Sequence, residues 1–318
     1  MNAASSPASS SAGSPASSSA GSPATVPSET SADAPLLLIR DEGASRVLTL
    51  NRPARRNALN DALLTTLCEA LRQAQSDPGV RTIIVEGAGN GFCSGRDQRD
   101  AGNAESTRAL LQDGSLEATV SVFTEALRLL LASRKPTIAS VHGFALAGGQ
   151  ALTLACDFVV AERDARFGNP EMQFGFPAAM NTVLLARHLG RRKALEIAMT
   201  GAIYAAPDYA ALGLINRLTE PGQRQDATRA FAASLNALAP WAVSRTKQLL
   251  RAVEHTGIDE SLDAGDALNQ LLRANAQLAP VFEDPDATRA RLQGQVTGTA
   301  SATAPATPAT PATPATPD

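Results

Sequence analysis

A chain of 318 residues with a formal net charge of −3 carries no basic footprint for nucleic acid, and no apolar run of about 18 residues marks a membrane span. Its three cysteines, Cys68, Cys93 and Cys156, have spacings that suit neither a metal site nor a disulfide scaffold. A soluble globular protein is expected, with the cytoplasm as its default location, because the Ala/Ser-rich start lacks the basic residues and apolar stretch of an export signal.

Residues 1–34 are almost wholly Ala, Ser, Pro, Gly and Thr, and 297–318 repeat Pro-Ala-Thr. Such segments bury too little apolar surface to offset the entropy of ordering, so both are expected to be mobile. The folded part then spans roughly 35–296, read as a core over 35–220 and a helical region over 221–296.

The runs Leu36-Leu37-Leu38-Ile39-Arg40 and Arg46-Val47-Leu48-Thr49-Leu50 flank Asp41-Glu42-Gly43-Ala44-Ser45 and predict a hairpin. A helix follows from Asn60 or Asp61, with Leu63, Leu64, Leu67 and Leu71 on one stripe, until Asp77-Pro78-Gly79 stops it. Residues 80–86 predict a strand and 87–116 a loop that is glycine-rich and then polar. Over 116–133, Val120, Phe123, Leu127 and Leu130 recur at helical spacing. Strands are expected over 136–141 and 157–161, with a small-residue helix over 147–155 between them. That alternation argues for an α/β fold with crossover connections. From Thr182 the pattern is helical, over 182–189, 192–199, 207–212, 226–238, 241–254 and 259–271, which suggests a second layer or an oligomerisation region.

Two glycine-rich turns and one carboxylate carry the chemical argument. Gly91-Phe92-Cys93-Ser94-Gly95-Arg96-Asp97 follows the strand ending near Glu86, and glycine permits a bend whose N–H groups converge on an anion or a polarised carbonyl. Gly143-Phe144-Ala145-Leu146-Ala147-Gly148-Gly149 leads into the small-residue helix, whose N-terminus offers unpaired donors and a favourable dipole. Each turn alone reads equally well as a packing turn. Together they suggest an oxyanion hole with N–H groups from near Ser94 and Gly148, suited to an enolate.

Glu171, in Phe167-Gly168-Asn169-Pro170-Glu171, becomes the natural base, since Met172, Phe174 and Phe176 would strip its hydration and raise its pKa. His142 and His188 read as packed or hydrogen-bonded, His255 as a helix-end surface residue, and Cys93 has no paired base for covalent chemistry. There is no Gly-x-Gly-x-x-Gly after the first strand and no Gly-x-Ser-x-Gly elbow.

With Asn51-Arg52-Pro53, Asn57-Ala58-Leu59-Asn60, Lys135-Pro136-Thr137-Ile138-Ala139, Cys156-Asp157 and Ala211-Leu212-Gly213-Leu214-Ile215-Asn216 added to these segments, the chain resembles the enoyl-CoA hydratase/isomerase family, the crotonases, over about 36–271. The resemblance implies an α/β fold of repeated β-β-α units in a crotonase-like spiral, then a C-terminal helical trimerisation region, and hence a homotrimer or a dimer of trimers. It implies an acyl-CoA thioester as substrate, with coenzyme A present only as part of it and no permanently bound cofactor. The thioester carbonyl would be held by the N–H groups of Ser94 and Gly148. Ala58, Arg96 and Asp97 would line the CoA channel, with Arg52 or Arg56 near its phosphates. Gly95, Gly149, Gln150, Ala151 and Phe174 complete the substrate-binding set, and Phe123, Met172, Phe176 and Met180 are candidate pocket walls.

Hydratases of the family commonly use two glutamates. Glu171 matches the second, whereas the first position is Ala151, and alanine cannot orient or deprotonate water. The aspartate of some dienoyl-CoA isomerases is missing as well, with Ala178 and Ala179 in its neighbourhood. The pattern therefore favours an isomerase that shifts a double bond with Glu171 as its single acid-base group. Two alternatives remain: a hydratase using one glutamate, with Gln150 or a backbone group placing the water, and a non-catalytic acyl-CoA-binding scaffold.

Overall fold

The computed structural model of the chain describes residues 34–97, 99, 121–254 and 256–273. The low-complexity tails, most of the polar stretch after Asp97 and His255 lie outside the described residues.

In chain order the strands are β1 (Leu37–Glu42), β2 (Ser45–Leu50), β3 (Thr82–Gly87), β4 (Thr137–Val141), β5 (Phe144–Leu146), β6 (Phe158–Glu162), β7 (Arg166–Gly168), β8 (Ile203–Ala205) and β9 (Arg217–Thr219). Six form one sheet in the order β1-β2-β3-β4-β6-β9, and three form a smaller one, β5-β7-β8. β1 and β2 make the expected hairpin, turning through Gly43 at φ +59, where a residue without Cβ meets no steric penalty. From β2 onward the main sheet is parallel, and parallel strands need crossovers. Helices α1 (Asp61–Ser76), α2 (Val122–Leu131) and α3 (Gly148–Ala155) lie in the first three of these connections.

α1 begins where the Asn60 side chain accepts the Leu63 N–H at 3.0 Å, satisfying one of the helix's orphan donors. Its predicted stripe, Leu63, Leu64, Leu67 and Leu71, is fully buried in the main apolar cluster. The parallel strands read as unbroken apolar runs because both of their faces are covered. The second face, formed by Val47, Ile84, Ile138 and Val160, packs with Ala232, Phe231 and Leu235.

The later helices are α4 (Ala179–His188), α5 (Arg191–Thr200), α6 (Ala206–Ala211), α7 (Arg224–Asn236), α8 (Pro240–Val253) and α9 (Ile258–Arg273). α7 carries the residues that close the second sheet face. α8 and α9 bury no residue at all. The helical end of the chain thus contains two kinds of helix, one serving the core and two that bury no residue fully.

The short strands β5, β7, β8 and β9 have only three residues each, too few for an alternating pattern to register in the sequence. Two of them, β5 and β7, build the site.

Candidate active site

β5 runs between Cys93 and β7. Cys93 bridges Ala145 in parallel, its N–H donating to the Phe144 carbonyl at 3.1 Å and its carbonyl accepting from the Leu146 N–H at 2.9 Å. β7 pairs in parallel along the other edge of β5, with Leu146 opposite Gly168. Three parallel segments therefore end together. The 93–97 loop, the N-terminus of α3 and the turn bearing Glu171 emerge side by side at their carboxyl ends, where parallel sheets commonly bind ligands.

Missing side chains allow this approach. Gly95 has φ +104, and a Cβ on it would meet the Ala147 Cβ at 2.8 Å. A Cβ on Gly149 would lie 2.4 Å from the Cys93 carbonyl oxygen, so α3 packs against the 93–95 segment only because that residue is glycine. At Gly148 the nearest atoms to such a Cβ would be the Arg96 nitrogen and Phe123 Cζ, both at 3.3 Å. Arg96 and Gly148 thus bring main-chain nitrogens to one small space, walled by the almost fully buried Phe123.

Ser94 is not available in the way expected. Its N–H donates to the Arg56 carbonyl at 3.0 Å, which corrects its assignment as an oxyanion donor. Arg96 is the amide beside Gly148 instead. The Arg96 guanidinium is drawn away to Asp61 at 2.7 Å and to the Leu59 carbonyl at 3.2 Å. Asp97 pairs with Arg52 at 2.9 Å, and Arg52 also donates to the Ala58 carbonyl, so Arg52 is committed within the chain. Burial pushes the Asp97 carboxyl upward, but hydrogen bonds from Arg52 and the Arg99 N–H, with the charges of Arg52 and Arg55, hold it below the usual range.

Asn57 fixes the loop that receives Ser94. It is fully buried at φ +54, a conformation Asn tolerates better than most residues. Its Nδ2 donates to the Ala88 and Gly91 carbonyls at 2.8 and 2.9 Å, and its Oδ1 accepts the Arg52 N–H at 2.9 Å. Asn57→Ala strands these groups in the interior, and a loss of about 2–4 kcal/mol is expected from chemical denaturation. A loss below about 0.5 kcal/mol, typical of a surface position, would remove the clamp role.

Glu171 sits in the 3-10 turn Pro170–Phe174, directly after Asn169. Its Oε2 is buried without a hydrogen-bond partner. Burial raises its pKa, its own N–H and the Asn181 amide oppose the rise only in part, and no charged group among the described residues contributes. The shielding does not come from its aromatic neighbours in sequence, since Phe174 and Phe176 are 72% and 58% exposed. Phe174 therefore does not form an enclosed wall within this chain, whereas Met172 packs partly buried against the core.

Gln150, expected at the substrate, is fully buried in a polar chain. Its Oε1 accepts the Tyr209 hydroxyl at 2.8 Å, and its Nε2 donates to Asn169 at 3.2 Å and to Asn181 at 3.4 Å. Ala151 is likewise fully buried, in the main apolar cluster. His142 and His188 each donate an Nε2–H, to the Gly89 and Leu154 carbonyls at 2.8 and 2.9 Å, and burial pushes the Cys93 thiol up to about 12. Among the described residues no group of three His, Cys, Asp or Glu side chains could hold a metal ion, and no helix is long and apolar enough to cross a membrane.

The enoyl-CoA hydratase/isomerase family model matches residues 41–277. A Thermus thermophilus relative whose name includes enoyl-CoA hydratase is 33% identical over 238 residues, covering 75% of this chain and 92% of its own. A solved enoyl-CoA hydratase from Mycobacterium smegmatis shares 30% identity at a TM-score of 0.70, covering 79% of this chain and 97% of its own. Another, from Mycobacterium tuberculosis, shares 32% identity at a TM-score of 0.66 with coverage of 79% and 97%. The chain belongs to the enoyl-CoA hydratase/isomerase family, a family of enzymes built on the crotonase fold.

Proposed function

We propose that the protein is an enoyl-CoA isomerase that moves a double bond in an acyl-CoA thioester by proton transfer through Glu171. The observation that carries this reading is a partly buried carboxylate with one oxygen unpartnered, beside converging main-chain amides, while alanine occupies the position of a hydratase's other acid. Ionised Glu171 takes a proton from the carbon α to the thioester carbonyl, and the C–H electron pair enters the conjugated system. Negative charge then gathers on the thioester oxygen, where the Arg96 and Gly148 N–H groups and the positive end of α3 stabilise it. Protonated Glu171 returns the proton to the γ carbon, leaving the double bond between α and β. Coenzyme A enters only as part of the substrate, and its phosphates are assigned to Arg55 and Arg56 on the ground that both are exposed and close in sequence to Ala58.

The test is incubation of a β,γ-unsaturated acyl-CoA in deuterated water. The α,β-isomer is the expected product, with deuterium at the γ carbon only in those turnovers where the Glu171 carboxyl exchanges with solvent before it returns its proton. A second reading, hydration by Glu171 alone, is favoured by the names of the relatives and would give the 3-hydroxyacyl-CoA instead. Tight binding with neither exchange nor hydration would make the protein an acyl-CoA-binding scaffold.

Assembly as a homotrimer or a dimer of trimers belongs to the same proposal. Its support is that α8 and α9 bury nothing while Leu250, Ile258 and Leu262 stand 65%, 72% and 64% exposed. Leu262→Asp is expected to shift the sedimentation coefficient toward that of a monomer. A coefficient equal to that of the unmodified protein removes this face of α9 from the interface. A cytoplasmic location accords with three free, buried thiols.

A further inference from the structure

The base and the oxyanion amides stand on separate elements, and one buried side chain holds the peptide of the second and bears on the ionisation of the first. Asn181, on the first turn of α4, is 2% exposed. Its Nδ2 donates to the Ala147 carbonyl at 2.8 Å, and its Oδ1 accepts from Gln150 at 3.4 Å. The donors run in one direction, from the Tyr209 hydroxyl through Gln150 and Asn181 to the Ala147 carbonyl.

That carbonyl belongs to an unusual residue. Ala147 immediately precedes Gly148, and its φ of +49 with ψ of −118 is backbone that glycine adopts freely and alanine resists. Such strain persists only where surrounding contacts over-determine it. Here the Ala147 N–H is held by the Gly168 carbonyl at 2.9 Å, and its carbonyl by Asn181 and, at 3.1 Å, by the Ala151 N–H. The Ala147–Gly148 peptide supplies the Gly148 N–H, so the orientation of that donor depends on how firmly this carbonyl is held.

Asn181 also bears on the ionisation of the base. Its amide favours the ionised form of Glu171 against the effect of burial, and the only other opposing group is the Glu171 N–H. No charged side chain among the described residues takes part, so burial and two hydrogen-bond donors set the titration.

We propose that Asn181 is a positioning residue for the reaction, its single amide fixing the peptide that aims the Gly148 N–H while orienting the Glu171 carboxylate toward the substrate. This rests on the reading of Glu171 as the base. It also gives the polar chain a purpose that packing does not require, since fully buried Gln150 and nearly buried Tyr209 and Asn181 form a costly arrangement unless each amide is held in one orientation.

The experiment compares Asn181→Asp and Asn181→Ala with the unmodified protein in α-proton exchange as a function of pH. Asp keeps the shape and the acceptor but removes both donors. Ala removes the whole group. Both variants are expected to lose about 10- to 100-fold in kcat, with KM and the affinity for a non-reactive acyl-CoA thioether changed less than about threefold. The acid limb of kcat/KM is expected to move to higher pH in both, and further in Asn181→Asp, where a like charge adds to the lost donor.

Melting curves identify the folded variants. If neither folds, Asn181→Ser, whose short hydroxyl leaves Glu171 without its side-chain donor, is read for the same shift of the acid limb. An acid limb unmoved in a folded variant overturns the proposal, whatever the fall in kcat, and leaves Asn181 a packing residue. Glu171→Gln in the same assay separates the two levels of inference. Exchange retained there removes the base itself, whereas exchange lost there with an unmoved limb at Asn181 removes only the positioning role.

Discussion

Glu171→Gln is expected to lower turnover by about a thousandfold or more while leaving the affinity for a non-reactive acyl-CoA near that of the unmodified protein. A positioned general base typically contributes about 10²- to 10⁴-fold, and no second acid stands in reserve at Ala151. Glutamine preserves the volume and one acceptor, so the contacts that hold the thioester and its coenzyme A are undisturbed. The pH profile gives a second readout. Burial raises Glu171 above its ordinary 4.5, so the rise of kcat/KM with pH is expected above that value and vanishes with the carboxylate.

Stability should change in the opposite sense to activity. Because the folded-state pKa is raised, the folded protein binds this proton more tightly than the unfolded chain does. The stability this lends is complete below 4.5 and is lost as the pH rises through the raised value. Glu171→Gln does not titrate. It is therefore expected to melt above the unmodified protein at neutral pH and close to it in acid. Turnover within about tenfold of the unmodified rate would show that Glu171 is not the base, and equal melting temperatures at both pH values would show that Oε2 is not an uncompensated buried charge.

The sequence made the long elements legible and left the site's wiring obscure. α1 and the parallel strands announce themselves because burial on a helical stripe or on both sheet faces repeats over many residues. Glu171 could be singled out because a carboxylate in a glycine- and proline-marked turn has few competitors. The donor opposite Gly148 could not. Choosing Arg96 over Ser94 requires knowing that the Arg56 carbonyl, from a distant loop held by Asn57, already accepts the Ser94 N–H. The bend at Gly95 lies between the two amides, and no pattern in the letters says which of them turns inward.

Gln150 misled for a related reason. α3 is buried on every side, so no polar stripe distinguishes a side chain that meets substrate from one that meets Tyr209. The same ambiguity separates α7 from α8 and α9. All three are amphipathic in sequence, yet only α7 finds its partner in this chain's own sheet. An apolar stripe records that a surface is to be covered, not what covers it.

Gly148→Ala is expected to abolish most activity in a protein that folds normally, a loss of about 10²- to 10³-fold in kcat. Gly148 is not among the glycines of positive φ, so alanine meets no backbone penalty there, and in a helix's first turn it is the better helix former. Its methyl would lie 3.3 Å from the Arg96 nitrogen and from Phe123 Cζ, contacts that a shift of a few tenths of an ångström relieves. That methyl nevertheless occupies the space into which a thioester oxygen must come, within about 2.7–3.1 Å of its donors. Gly149→Ala, one residue along, is the contrasting case. Its Cβ would stand 2.4 Å from the Cys93 carbonyl oxygen, a main-chain atom locked by the Leu146 N–H, so α3 itself would have to move and the variant is expected to be unstable. A folded Gly148→Ala protein with an undiminished kcat would mean that the thioester oxygen lies elsewhere, and the enolate would then have no place in this reaction.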